Sequence, residues 1–335
     1  SGRIAPPCPY YGLCGGCDLQ HCNYDEQLNI KTEIVTELFQ DIFGSISRCI
    51  ASPEQFGYRQ RIRLQIKDSS LGFLRFRSAE IVPVTACLLA NPRMNAALKS
   101  LLSNEPFQNL SANIQEFELL DNPETHSVTL LFHCERSPRP AERNTARELT
   151  NTINEVERVF FTGSNFSLDG PYSINENTCK TKLLSYSFEG TASQKAFRLS
   201  WEVGGFCQVN LLQNENLITY VLQQCQDVSG LHMLDLFCGM GNFTVPLAQI
   251  ADSVIGVEGQ GAAIRAARQN CAEAGVTNAQ FYKGSIDIAC RKLLKEKQNF
   301  IKYLAALAKF MNFAWDPKDN DQVQFDRLKI DDQKI

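Results

Sequence analysis

The 335-residue chain has no run of about 18 consecutive apolar residues and no charged-then-apolar leader, which argues against a membrane-spanning helix and a secretion signal. A cytoplasmic protein is expected. It has no excess of positive charge either: the net charge is −4, so an argument for nucleic acid must rest on local patches. Internal repeats and low-complexity tracts are absent. With 44% hydrophobic and 21% charged residues the chain is ordinary for a soluble globular protein, and its length suits two domains. Thirteen cysteines are present but mostly scattered, without the dense framework of a small secreted domain.

The most informative segment that is present runs Leu231-His-Met-Leu-Asp-Leu-Phe-Cys-Gly-Met-Gly-Asn-Phe-Thr244. Met233 to Phe237 is an apolar run of the kind that forms a strand buried on both faces, and Gly239 and Gly241 let the chain turn into a helix beginning near Asn242. Glycines and the unpaired N–H groups of a first helical turn admit a ligand close to the backbone. The next apolar run, Ser253 to Val257, ends in Glu258, nineteen residues beyond Gly239, where a carboxylate accepts ribose hydroxyls. A third glycine would complete the dinucleotide fingerprint, and Thr244 stands there instead. A cofactor with ribose and no pyrophosphate fits better, and S-adenosylmethionine (SAM) is the candidate.

Near the start, Cys8-Pro-Tyr-Tyr-Gly-Leu-Cys14-Gly-Gly-Cys17 has the spacing C-x5-C-x2-C. Three thiols on one tight loop read as metal ligands and ask for a fourth, which spacing leaves open between Cys22 and Cys87. The C-x3-C-x2-C spacing of radical SAM enzymes is missing.

Residues 25–43 carry helical periodicity with Gly44 as the stop. From Tyr58 the period becomes two: Arg59, Arg61 and Arg63 share one face of a strand, and Ile62, Leu64 and Ile66 share the other. A return strand adds Arg75 and Arg77. This ribbon reads either as a phosphate-contacting surface or as a strand face with ordinary salt bridges. Further helices are expected over 88–103, 138–153 and 211–224, and strands within 112–134 and 156–202. Gly204-Gly205 marks the boundary between a domain at 1–204 and one at 205–335, with helix 25–43 packing on the second.

The cysteine loop, Phe206-Cys-Gln-Val-Asn210, Asp235-Leu-Phe-Cys-Gly-Met-Gly-Asn-Phe243 and Val257-Glu-Gly259, in this order, resemble the iron–sulfur-containing RNA (uracil-5-)-methyltransferases, most closely those acting on 23S ribosomal RNA (rRNA). The resemblance implies an α/β fold: a class I, Rossmann-like SAM-dependent methyltransferase domain preceded by an iron–sulfur and mixed α/β RNA-binding domain. It implies a [4Fe-4S] cluster on Cys8, Cys14, Cys17 and Cys87, and SAM contacts at Gln208, Phe237, Asn242 and Glu258 beside the turn glycines. Ser285 falls where the family has Asp or Asn, with Asp287 as the compensating acid. Phe206 becomes an aromatic partner for a base drawn out of its stack. The partner implied is RNA, 23S rRNA first and transfer RNA (tRNA) as the alternative, bound by a monomer.

The family reaction adds a cysteine thiolate to carbon 6 of uracil, making carbon 5 nucleophilic toward the SAM methyl group, and a carboxylate later removes the carbon 5 proton. The family's Asp-Pro-Pro-Arg and Ser-Cys-Asn-Pro motifs have no match here, although Asp331 sits where the first would begin. No nucleophile or base is therefore assigned, and Cys238 is read as packing beneath the cofactor. The expectation is a chain missing its catalytic end, with a non-catalytic RNA- and SAM-binding relative as the alternative. The stretch 301–321 is expected to form an additional helix.

Overall fold

A computed structural model describes residues 2–43, 46–67, 70–111, 114–174, 181–190, 195–225, 230 and 232–285. The expected helix 301–321, Asp287 and Asp331 lie outside the described residues.

The first helix, α1 (Tyr24–Phe43), follows the cysteine loop, and Asn23 Oδ1 accepts from the Glu26 N–H at 2.9 Å at its start. Then come β1 (Arg61–Lys67), β2 (Ser70–Leu74), β3 (Ile81–Pro83), α2 (Pro92–Leu102), α3 (Glu105–Ser111), β4 (Glu116–Asn122) and β5 (Ser127–His133). They are followed by α4 (Pro140–Thr152), β6 (Val156–Gly163) and β7 (Phe166–Tyr172). Seven strands form one sheet in the order β3-β2-β1-β4-β5-β6-β7, antiparallel except where α4 carries the chain from β5 to a parallel β6. The helix expected from residue 88 begins only at Pro92. Asn91 caps it, its Oδ1 accepting from the Met94 N–H, and proline suits the first helical position because its missing N–H would be unpaired there.

Strand alternation splits the sheet into two chemically different faces. Ile62, Leu64, Phe117, Leu119, Leu130, Phe132 and Phe161 bury one face together with Met94, Leu98, Leu101, Leu110 and Leu149 from the helices. On the other, Leu120, Leu131 and Phe160 pack against Leu199 and Trp201 of a hairpin, β8 (Leu183–Phe188) and β9 (Phe197–Glu202).

That second core continues into α5 (Leu211–Cys225), β10 (His232–Leu236), α6 (Thr244–Ala248), β11 (Ser253–Glu258), α7 (Gly261–Glu273) and β12 (Ala279–Lys283). The buried Asn270 of α7 accepts from the Ser200 N–H at 2.9 Å and donates to the carbonyls of Ser200 and Met240. The expected boundary near 204 is therefore a turn, with Gly204 at φ +83°, and apolar packing runs across it.

Strands β10, β11 and β12 are parallel neighbours in that order. Val254 to Val257 of β11 are buried, as the sequence suggests, but β10 is only partly buried and His232 is exposed. The reason is positional: among the described residues β10 is an edge strand. The helix expected from Asn242 begins at Thr244 and spans five residues, because Gly239 and Gly241, at φ +54° and +89°, keep the preceding residues wound in the turn.

Candidate functional site

Parallel β10 and β11 deliver their carboxyl ends side by side, with Leu236 opposite Val257. From β10 the chain enters a turn in which Phe237 adopts φ +59°, a conformation disfavoured for a side chain of its size, and Phe237 is 61% exposed. The turn closes on itself and on β11: the Cys238 N–H donates to Val257 O, and the Gly241 N–H donates to Cys238 O. Glu258, at the end of β11, ties the turn to the chain that follows β11. Its Oε2 accepts from the Gly239 N–H at 3.2 Å and its Oε1 from the Gln260 N–H at 2.7 Å.

Beneath the turn lies Asp235, which sequence reading passed over as part of an apolar strand. Its Oδ2 accepts from the Thr244 hydroxyl at 2.6 Å, fixing the start of α6. Burial pushes its carboxyl up to about 6, with nearby Glu258 adding to the shift. Cys238 points down into the fold. Burial, followed by the charges of Asp235 and Glu258, pushes its thiol up to about 12, so it stays protonated and is a poor nucleophile.

A strap from Phe206 to Asn210 leads from the end of β9 into α5. Phe206 is 72% exposed and Gln208 is half-buried. The strap is stitched to the amino-terminal half: the Gln60 N–H donates to Val209 O at 2.9 Å, and Arg61 Nη1 donates to Gly205 O at 3.1 Å. Asn242, expected beside the cofactor, is nearly buried and pairs its side-chain amide with Asn214 of α5. Ser285, just beyond β12, is exposed, and the neighbouring Gly284 N–H donates to Glu258 O.

The arginine ribbon is present as expected and is answered by acids that the one-strand reading did not include. β4 places Glu118 opposite Arg63, and this fully buried carboxylate accepts from Arg61, from Arg63 at 2.6 Å and from His133 Nε2 at 2.9 Å. Burial alone would raise Glu118. The hydrogen bonds from His133 and the two arginines hold it down at about 2. Arg63 also meets Glu116 at 3.2 Å, and Arg75 pairs with Glu80. Arg77 lies 5.0 Å over the Phe76 ring. For Arg61, Arg63 and Arg75, the geometry is that of a salt-bridged face. Glu118 and His133 sit where the alternation of β4 and β5 would put them, a signal visible only once strand pairing is known.

Above this polar half-face opens a cleft of about 1500 Å³, lined by Gln65, Glu116, His133, Glu202, Gly205 and Gln260. It connects the sheet to the residues that follow Glu258.

The cysteine loop docks on the end of β2. The Gly15 N–H donates to Leu74 O at 2.9 Å, and a Cβ on Gly15 would stand 3.0 Å from the Phe76 backbone, tighter than side chains usually pack, so glycine suits this close approach. Cys8, Cys14, Cys17 and Cys87 come within electrostatic range of one another: burial raises the Cys14 and Cys17 thiols, and Cys8 and Cys87 raise both further. Arg59 acts on Cys17 in the opposite sense, which ties this member of the ribbon to the thiols. Cys22 is buried, and its backbone forms an isolated antiparallel β-bridge with Arg3. Among the described residues, no three His, Cys, Asp or Glu side chains are placed to hold a metal ion. Also among them, no helix is long and apolar enough to cross a membrane.

A family model described as tRNA (Uracil-5-)-methyltransferase matches residues 23–312. Similar curated proteins include the 23S rRNA (uracil(1939)-C(5))-methyltransferase RlmD of Shewanella sp. (strain ANA-3), 28% identical over 93% of this chain and 70% of the relative. RlmD of Shewanella sediminis (strain HAW-EB3) is 30% identical over 84% of this chain and 62% of its own. Among solved structures, the Pyrococcus abyssi tRNA (uracil-54, C5)-methyltransferase in complex with S-adenosyl-L-homocysteine aligns with a TM-score of 0.64 at 24% identity, over 83% of this chain and 66% of that one. This last likeness bears on the fold. The chain spans about two thirds of the length of these relatives.

Proposed function

The chain belongs to the tRNA (uracil-5-)-methyltransferase family, and on that premise we propose that it binds SAM at the turn between β10 and β11 and presents it to carbon 5 of a uridine in 23S rRNA. One observation carries the reading: Glu258 stands at the end of β11 against the Gly239 N–H of a positive-φ turn, so a ribose acceptor and an open backbone share one mouth.

When bound, SAM supplies a methyl group on a sulfonium centre. The chain's own residues then have separable tasks. Glu258 accepts the ribose hydroxyls, Gly239 and Gly241 keep the mouth free of side chains, and Gln208 approaches from the strap. Phe237 and Phe206 offer exposed rings, Phe237 to the cofactor and Phe206 to a uracil lifted from its stack. Ser285, exposed just after β12, would stand on the far side. The 23S substrate follows the curated relatives, whose names specify that RNA.

Addition at carbon 6 needs a thiolate, and the cysteines near the turn are unsuited to it. Burial pushes Cys207 and Cys271 up to about 11, and Cys238 higher still. No cysteine near the turn is therefore assigned as the nucleophile among the described residues. The same observation supports a second reading, binding of SAM and RNA without methyl transfer.

Cys8, Cys14, Cys17 and Cys87 would hold the [4Fe-4S] cluster. Their all-thiol composition suits it, but among the described residues no three of these side chains are placed to hold a metal ion, so loading would have to draw them together, with Arg59 near Cys17 offsetting the cluster's negative charge. The protein would act as a cytoplasmic monomer in this reading.

Calorimetric titration with S-adenosylhomocysteine tests the cofactor site: binding by the native chain, weakened at least about tenfold in Glu258→Ala, is expected for loss of a charge-assisted acceptor. Absence of binding to the native chain sinks the proposal. Incubation with SAM and 23S rRNA, read as 5-methyluridine, separates transfer from binding alone.

A further inference from the structure

We propose that Asn214 is a positioning residue of the cofactor site, acting through Asn242 to couple the strap to the glycine turn. The inference rests on the reading of that turn as the SAM site. Asn214 lies on α5, the helix that grows directly out of the strap. Asn210, the last strap residue, caps this helix: its side-chain Oδ1 accepts from the Gln213 N–H at 3.0 Å and its carbonyl from the Asn214 N–H at 2.9 Å. Its amide Nδ2 donates at 2.9 Å to Ser52 Oγ, in the amino-terminal half.

One helical turn after this cap, the Asn214 side chain crosses to the glycine turn. Asn214 Nδ2 donates to Asn242 Oδ1 at 2.8 Å, and Asn242 Nδ2 donates back to Asn214 Oδ1 at 2.9 Å. Both residues are buried, at 5% and 9% exposure, so neither amide can turn to water for a replacement partner. Asn242 immediately follows Gly241, whose φ of +89° shapes the mouth. The pair therefore fixes the conformation of a segment whose glycines resist disorder poorly on their own. It also forms a short mechanical path: Gln208 and Phe206 on the strap, Asn210 at the cap, Asn214 on the first turn of α5, and Asn242 at the mouth. Movement of the strap on a bound base is transmitted to the turn that holds the cofactor, and cofactor binding is transmitted back by linkage.

The test compares S-adenosylhomocysteine affinity in the native chain, Asn214→Ala, Asn242→Ala and the double variant. Each single change breaks the same reciprocal pair, so each is expected to weaken binding about tenfold and the double variant to lose no more than either alone. Hydrogen exchange read by mass spectrometry is expected to speed up at residues 238–243 in Asn214→Ala without ligand, while β4 and β5 exchange as before. A native chain that does not bind the ligand overturns the cofactor reading itself. A native chain that binds, with Asn214→Ala binding equally well, overturns the positioning role, as do losses that multiply to about a hundredfold in the double variant. If the alanine variant does not fold, Asn214→Ser keeps the site polar while removing the reciprocal pair, and the same outcomes apply.

Discussion

Gly256 lies so close to Cys238 that a Cβ at position 256 would stand 2.9 Å from the Cys238 Sγ and 2.7 Å from the Phe281 ring. The absence of a side chain in the middle of β11 is what lets the sulfur tuck beneath the turn. Gly256→Ala is expected to cost about 1–3 kcal/mol by overpacking, read as a lower Tm. It should also weaken S-adenosylhomocysteine binding, since the displaced Cys238 lifts the mouth above it. An unchanged Tm would show that the turn yields freely.

Glu118 ties Arg61, Arg63 and His133 together from a fully buried position. Its carboxyl, held at about 2 against an ordinary 4.5, contributes stability that is complete above 4.5 and is lost as pH falls from 4.5 toward 2. Glu118→Gln is expected to cost about 3–5 kcal/mol at neutral pH, because it leaves arginines facing a neutral amide. Chemical denaturation across this pH range checks both claims: the variant should lose the acid-dependent slope that the native chain shows.

Asp235 has the opposite sign. Its carboxyl is raised to about 6 from 3.8, mainly by burial, so ionisation works against the folded state. The cost is absent below 3.8, grows as pH rises from 3.8 to 6, and is complete above 6. Asn at 235 can still accept from the Thr244 hydroxyl. Asp235→Asn is therefore expected to raise stability at neutral pH by up to about 3 kcal/mol, with the gain vanishing in acid. A variant no more stable than the native chain at neutral pH would mean that Asp235 is not held protonated-prone by its surroundings.

For the cysteine array, Cys17→Ser or Cys87→Ser is expected to abolish the visible absorption and the bound iron and sulfide of protein purified without air, while Cys22→Ser retains them. Equal loss in Cys22→Ser would assign the fourth ligand differently.

The sequence makes the local devices legible and leaves the pairings hidden. Gly239, Gly241 and Glu258 are readable because a turn and a spaced acid leave a signature within twenty residues. The alternation of Arg61 and Arg63 against Ile62 and Leu64 is equally readable, and β1 has that pattern. What answers those arginines is not, because Glu118 comes from a strand more than fifty residues away whose register only the fold supplies. The pairing of Asn214 with Asn242 is hidden for the same reason: Asn242 is legible as a cofactor contact, but its partner on α5 shows only once the two are seen face to face. The partial burial of β10 depends on its neighbours in the sheet and is likewise not a property of its own apolar run.

The docking of the cysteine loop on β2 has a consequence for the order of events during synthesis. The contacts that tether the cysteine loop and Cys87 are the Cys8 N–H to Gln20 Oε1, the Gly15–Leu74 hydrogen bond, the backbone β-bridge of Cys14 with Arg75 and the Cys87 N–H to Asn95 Oδ1. All of them lie within the first hundred residues, while the cofactor mouth is built from residues beyond 200. An emerging chain can therefore dock the cysteine loop on the nascent β1–β2–β3 hairpins long before the turn that would receive SAM has left the ribosome.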